Sequence, residues 1–270
     1  MTLLHTLPPR SALYLPASNA RAVAKARTLD ADMIILDLED AVPEADKTTA
    51  RDAAVAAMAE GFGDRIAAIR INAPDSPFHA DDVAAARASQ AAAIVIPKVE
   101  AADSPARIAQ AVGKPVLAMI ETPAGILAAA PVAAAEGVVG LIAGTNDIAH
   151  ALRLPLGAGR GGLALALQTI VLAGRAAGVF VLDGVWNRLD DPEGLERECL
   201  EGRNLGFDGK TLIHPNQIAI ANRGFSPGEA EIEDARALVE AAQGGAVRFR
   251  DRMVEDMHVA TARALLERVQ

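Results

Sequence analysis

Eight apolar runs of strand length recur along the chain, each separated from the next by a longer stretch, most of them alanine-rich and amphipathic. They are Ala12–Leu15, Met33–Leu38, Ile66–Ile71, Ala93–Ile96, Val116–Ile120, Val138–Ala143, Val179–Leu182 and Lys210–Ile213. Several are apolar almost throughout, the pattern of parallel strands covered on both faces. The stretches between them, such as Ala20–Leu29, Lys47–Glu60 and Leu163–Ala177, have helical spacing and strong helix formers. Eight βα units in 270 residues are the content of a TIM (β/α)8 barrel, an α/β fold. A doubly wound open sheet would need a glycine-rich phosphate loop after an early strand, and Pro16-Ala17-Ser18-Asn19 is not one.

No linker, low-complexity tract or charge block divides the chain. Residues 1–224 read as the barrel, and 225–270 as a C-terminal helical extension of the same structural unit. Helices are expected over Glu229–Gln243 and Val254–Val269. The second exceeds what a barrel needs, so a lid or a subunit contact is expected of it.

In this fold the active site lies at the C-terminal ends of the strands, and polar residues gather there. The runs lead into Asp37-Leu38-Glu39-Asp40, Arg70-Ile71-Asn72, Pro97-Lys98, Glu121-Thr122, Gly144-Thr145-Asn146-Asp147, Asp183 and His214-Pro215. A buried strand that ends in an acid needs a reason, because an unpaired buried charge is costly. Glu121 and Asp147 follow neighbouring strands, about 5 Å apart between backbones, so both can reach one cation. Oxygen ligands with few protein donors suit Mg²⁺, which keeps waters that a substrate displaces. The bland alternative is that each acid caps a helix or pairs with an arginine.

Arg70 has the geometry to clamp a carboxylate through two parallel hydrogen bonds, or to pair internally with Asp37 or Glu39, or both. The amides of Gly144, Thr145 and Asn146 can hold a second carboxylate oxygen, or be used up by an ordinary helix cap. Strand alternation puts Asp37 and Glu39 on one side and Asp40 on the other, so at most two of them support Arg70 or metal-bound water. Lys98 and His214 read as charge partners, His214 as a structural histidine, and Cys199 as packing.

Bulk properties narrow the partners. The net charge of −9 argues against nucleic acid or an anionic membrane, and 3% aromatics argue against a base-stacking surface. Cys199 is the only cysteine, so no internal disulfide forms and a cytoplasmic location is expected. Residues 1–10 carry no signal-peptide pattern.

Taken together, these motifs resemble the HpcH/HpaI aldolase and citrate lyase β-subunit family, particularly its stand-alone citrate-lyase-β-like members. The similarity runs from Arg10 to about Leu266. It is carried by Arg10-Ser11-x-Leu13-x-x-Pro16, Leu36-Asp37-Leu38-Glu39-Asp40-Ala41-Val42, Arg70-Ile71-Asn72, Ile96-Pro97-Lys98, Ile120-Glu121-Thr122, Ala143-Gly144-Thr145-x-Asp147, Leu205–Lys210 and Ile213-His214-Pro215-x-Gln217.

The resemblance implies a TIM barrel that assembles as a homotrimer or hexamer and acts on a small-molecule acyl-CoA or keto acid. It implies Mg²⁺ on Glu121 and Asp147, substrate carboxylate on Arg70 and the amides near Thr145, and Arg10 near the thioester or CoA phosphates. The activity implied is carbon–carbon cleavage of a citryl-, malyl- or citramalyl-CoA type of thioester. A CoA-independent aldolase and a non-autonomous citrate lyase β-like subunit are the alternatives. Many relatives carry Gly-x-Met-(Val/Ile)-Asp near the C-terminus, with that Asp as catalytic acid/base. Here Asp251-Arg252-Met253-Val254-Glu255 puts Glu255 at that position, one methylene longer.

Overall fold

The eight apolar runs form eight parallel strands: β1 (Ser11–Pro16), β2 (Met33–Asp37), β3 (Ile66–Arg70), β4 (Ala93–Ile96), β5 (Val116–Ile120), β6 (Val138–Ala143), β7 (Phe180–Asp183) and β8 (Gly209–Leu212). In this computed structural model, which describes residues 7–241 and 247–267, they pair in chain order. The sheet closes where β1 meets β8, with Ser11 opposite Lys210. The architecture is the TIM barrel expected from the sequence.

Alternation along the strands divides the core into two layers. Ala12, Met33, Ile35, Ala68, Val95, Leu117, Met119, Ile142, Phe180 and Leu182 pack on one another as the barrel interior. Their neighbours Leu13, Ile34, Leu36, Ile94, Ile96, Ala118, Ile120, Leu141 and Val181 are also buried. They face the surrounding helices, which is why the strands read as unbroken apolar runs. Those helices include α1 (Ala20–Ala26), α2 (Lys47–Glu60), α3 (His79–Ala88), α4 (Asp103–Val112), α5 (Pro123–Leu127), α6 (Ala129–Ala133), α7 (Thr145–Ala151), α8 (Ala164–Ala177), α9 (Pro192–Leu205) and α10 (Ile218–Gly224).

The chain divides into two compact units, Met1–Asn222 and Arg223–Gln270. The second has its own small core of Ala235, Leu238, Phe249, Val254, Val259 and Ala262. It holds α11 (Glu229–Ala241), an antiparallel hairpin of β9 (Val247–Phe249) and β10 (Arg252–Val254), and α12 (Asp256–Glu267). The hairpin corrects the sequence reading: Val254 ends a strand, and the last helix starts at Asp256. The ends of the two expected helices, residues 242–243 and 268–269, lie outside the described residues. No helix among the described residues is long and apolar enough to cross a membrane.

One glycine governs interior packing. Gly140 on β6 lies opposite Phe180 on β7, and a Cβ there would stand 2.6 Å from the Phe180 ring. Gly140→Ala is expected to overpack the interior and destabilise the protein by about 1–3 kcal/mol. The check is chemical denaturation, with Phe180→Leu in the same chain recovering part of the loss if the ring is the obstacle.

Candidate active site

Asp37 closes β2 and Arg70 closes β3, opposite each other in register. Both side chains have the inward parity and both are buried. Asp37 Oδ1 accepts from Arg70 Nε at 2.6 Å and from the Glu39 amide at 2.9 Å; Oδ2 accepts from Arg70 Nη2 at 2.6 Å and from the Ala41 amide at 3.0 Å. All four contacts are charge-assisted hydrogen bonds, and they make Asp37 the anchor of both the guanidinium and the turn after β2. The Arg70 guanidinium lies over the Tyr14 ring, 4.8 Å from its centroid. Its Nη1 stands 3.1 Å from Glu39 and 3.6 Å from Asp40. All three acids of the Asp37–Asp40 run therefore converge on Arg70. Strand alternation does not hold beyond Asp37, because the strand ends there.

Glu121 follows β5 directly, and only 2% of it is exposed. Its Oε1 accepts the Lys98 backbone N–H at 2.6 Å. Lys98 makes this bond from a left-handed backbone, φ 51°, which costs a non-glycine residue about 1–2 kcal/mol. On the other side Glu121 packs against Gly144, where a Cβ would sit 2.6 Å from Oε2. Asp147 lies in the first turn of α7, reached directly from β6, the strand paired with β5. No side chain caps α7, so Thr145 and Asn146 do not consume its first-turn amides. The Asn146 side chain exchanges hydrogen bonds with Asn187.

A cavity of about 280 Å³ opens among these groups. Tyr14, Asp37, Asp40, Arg70, Met119, Gly144, Thr145, Asn146, Asp147 and Thr211 are among its walls. Burial pushes the Glu39 carboxyl up to about 8 in spite of Arg70. Burial, with the charge of Asp147 behind it, pushes Glu121 up to about 7 despite the Lys98 amide. Neither Glu39 oxygen makes a hydrogen bond of its own, although Arg70 and Lys98 stand nearby.

This donor set fits a hard divalent ion. The Glu121 and Asp147 carboxylates repel each other, Glu121 from a buried position, and a dication removes that penalty. Among the described residues no three or more His, Cys, Asp or Glu converge as a metal cluster. A closed four-ligand zinc site is therefore not formed here, whereas magnesium fills its shell with water and substrate.

Other residues sit elsewhere. Arg10 precedes β1, at the opposite end of the barrel from the cavity, where it is paired bidentately with Asp32 at 2.9 Å. The expected place beside a thioester is thus corrected: a residue before a strand belongs to the N-terminal face. Asp183 also departs from the expected cluster. With Leu182 inward it points outward, into a buried network with Arg160 and Lys210 that also includes Glu198 on α9. His214 caps the turn Pro215–Gln217 with its own ring, the structural role expected of it. Cys199 is buried and pushed up to about 12, which suits packing. Glu255 lies in the second unit, exposed, immediately before α12, its amide donating to His258 Nδ1 at 2.9 Å. Sequence reasoning missed Tyr14 and Thr211, although inward parity on β1 and β8 is a signal for both.

Both raised carboxyls bind their protons more tightly in the folded chain than in the unfolded one. Their contribution to stability is therefore present at low pH and lost as pH climbs from the ordinary carboxylate range through about 8. Metal-free protein is expected to melt lower at about pH 8.5 than at about pH 6, and magnesium to raise the midpoint more at the higher pH. Thermal scans with EDTA and with Mg²⁺ at both pH values test this.

Known proteins match this chain along most of its length. The model of the HpcH/HpaI aldolase/citrate lyase family matches residues 10–215, and that of the C-C bond lyases of the TIM-barrel fold matches residues 163–270. A (3S)-malyl-CoA thioesterase from Cereibacter sphaeroides is 43% identical, over 97% of this chain and 95% of the relative. The citrate lyase subunit beta of Escherichia coli (strain K12) is 32% identical, over 97% and 93%. The crystal structure of CitE from Mycobacterium tuberculosis in complex with magnesium, acetoacetate and coenzyme A matches with a TM-score of 0.85. Its sequence identity is 32%, over 98% of this chain and 99% of that one.

Proposed function

This chain belongs to the HpcH/HpaI aldolase/citrate lyase family, and from that premise we propose a magnesium-dependent carbon–carbon lyase that cleaves a short hydroxyacyl-CoA to acetyl-CoA and a keto acid. One observation carries the reading: Glu121 and Asp147 follow the paired strands β5 and β6, and Asp147 lines the same cavity as Arg70, with Glu121 packed against its wall at Gly144. The neighbouring CitE structure, with magnesium, acetoacetate and coenzyme A bound, supports it.

Glu121 and Asp147 would hold the ion. Magnesium, when bound, supplies a Lewis acid that lowers the pKa of a substrate hydroxyl. Arg70, its inner edge fixed by Asp37, offers its outer edge to the substrate carboxylate, with the α7 amides at Thr145 and Asn146 on the other oxygen; the Gly144 amide, expected to share that task, donates to the Ile120 carbonyl at 3.0 Å instead. Asp37, Glu39 and Asp40 hold Arg70 in that pose. A carboxylate base takes the hydroxyl proton, the adjacent C–C bond breaks, and the electron pair leaves with the acetyl-CoA enolate, which is then protonated. Glu255 is our candidate for that base. The C-terminal extension, residues 225–270, would act as a lid or subunit contact in a homotrimer or hexamer, so that Glu255 serves a neighbour's mouth. We place the enzyme in the cytoplasm.

A second reading has its own support. The 43% identical relative is named a thioesterase, and the same mouth would then direct water at the thioester carbonyl, releasing CoA and a hydroxy acid.

Turnover of citryl-, malyl- and citramalyl-CoA separates the two. Mg²⁺-dependent release of a keto acid with acetyl-CoA is expected, lost with EDTA and reduced about 10²-fold or more in Glu121→Gln. Free CoA thiol without a keto acid would select hydrolysis instead. Glu255→Asp is expected to keep or raise lyase turnover; complete loss would show that Glu255 is not a displaced version of the relatives' Asp.

A further inference from the structure

Lys98 performs one duty through its backbone and has a side chain left over. Its amide fixes Glu121 Oε1, and the left-handed φ of 51° is what aims that amide. Glycine takes this conformation without strain, so the backbone duty does not call for lysine. A non-glycine residue kept in a strained conformation beside a candidate active site points to use of its side chain.

That side chain stands at the mouth, 46% exposed, with Nζ 3.7 Å from Glu39 Oε1. The separation is that of an ion pair in reach but not of a hydrogen bond. Glu39, Asp40, Glu121 and Asp147 are the charges this ammonium faces. Arg70 is placed differently. Its side chain is 9% exposed, Nε and Nη2 are given to Asp37, and Nη1 is turned to Glu39 and Asp40. An anionic substrate entering this acidic mouth meets a guanidinium already surrounded by carboxylates, and an ammonium with three donors beside it.

We propose that the Lys98 ammonium is a substrate-binding group, which leaves Glu39 to take a carboxylate oxygen of a short keto or hydroxy acid. The proposal rests on the reading of the mouth as an acyl-CoA and keto-acid site. It assigns the two halves of Lys98 to separate tasks: the amide positions Glu121, and the ammonium binds the acid.

Two substitutions separate the halves. Lys98→Gly keeps the amide and relaxes the backbone while removing the charge. Lys98→Met keeps the side-chain bulk and the backbone strain but not the charge. Calorimetric titration of each folded protein with Mg²⁺ alone, then with oxaloacetate in saturating Mg²⁺, gives the readout. Mg²⁺ affinity is expected to stay within about twofold of the parent, and oxaloacetate binding to weaken about tenfold or more in both, with Lys98→Arg recovering most of it. For the acyl-CoA turned over, KM should rise more than kcat falls. Unchanged oxaloacetate affinity in Lys98→Gly overturns the proposal. So does a parallel loss of Mg²⁺ affinity, which would make the side chain an accessory of Glu121, and so does absence of oxaloacetate binding by the parent. A parent that binds oxaloacetate but cleaves no acyl-CoA defeats the lyase reading alone, because the variants still report on Lys98.

Discussion

The mouth of this barrel depends on the pair Arg70–Asp37. The two residues end neighbouring strands in register and with the same inward parity, so each places a charge above an apolar interior. Either one alone would be an uncompensated buried ion, a defect of about 3–5 kcal/mol. Together, with the amides of Glu39 and Ala41, they satisfy both oxygens of Asp37 and lock one edge of the guanidinium. The remaining edge then has a fixed direction, with the Tyr14 ring against its face and Glu39 and Asp40 beside it. The turn after β2 and the cavity wall take their shape from that pair.

Around it the charge balance is deliberately incomplete. Asp37, Glu39, Asp40, Glu121 and Asp147 face Arg70 and Lys98, and desolvation keeps Glu39 and Glu121 well above the usual carboxylate range. Structural ion pairs elsewhere in the chain behave differently. Behind β7 and β8, Asp183 is buried as deeply, yet Lys210 and Arg160 hold it below its usual value. The contrast marks the mouth as a place where positive charge is to be supplied from outside, and the outer network as one already closed.

Much of this was legible in the residues because parallel strands covered on both faces must be apolar almost throughout. All eight strands were located that way, with ends shifted by no more than one residue. The strand-end acids stood out because apolar runs rarely terminate in them without cause. What failed had physical reasons. The β9–β10 hairpin has three-residue strands, too short for any periodicity to register. The motif ties Arg10 to the substrate, but its place before β1 puts it at the far end of the barrel. Position along the chain groups Asp183 with the mouth, but its parity turns it outward. The three acids after Leu36 were sorted by an alternation that lapses where the strand stops. The hydrogen bond from Lys98 to Glu121 depends on a left-handed φ at a lysine, which no residue pattern announces.

The socket that Gly144 leaves for Glu121 bears on how such a site arises. The carboxylate and the vacancy it occupies belong to different strand ends, so two separate codons must agree before the acid can sit where it does. A glycine acquired first merely opens a small gap, and the chain can carry it. A glutamate acquired first meets a methyl group already in its space. The order of historical steps toward this mouth is thus constrained by sterics, and a designer grafting the pair onto another barrel faces the same one-way sequence.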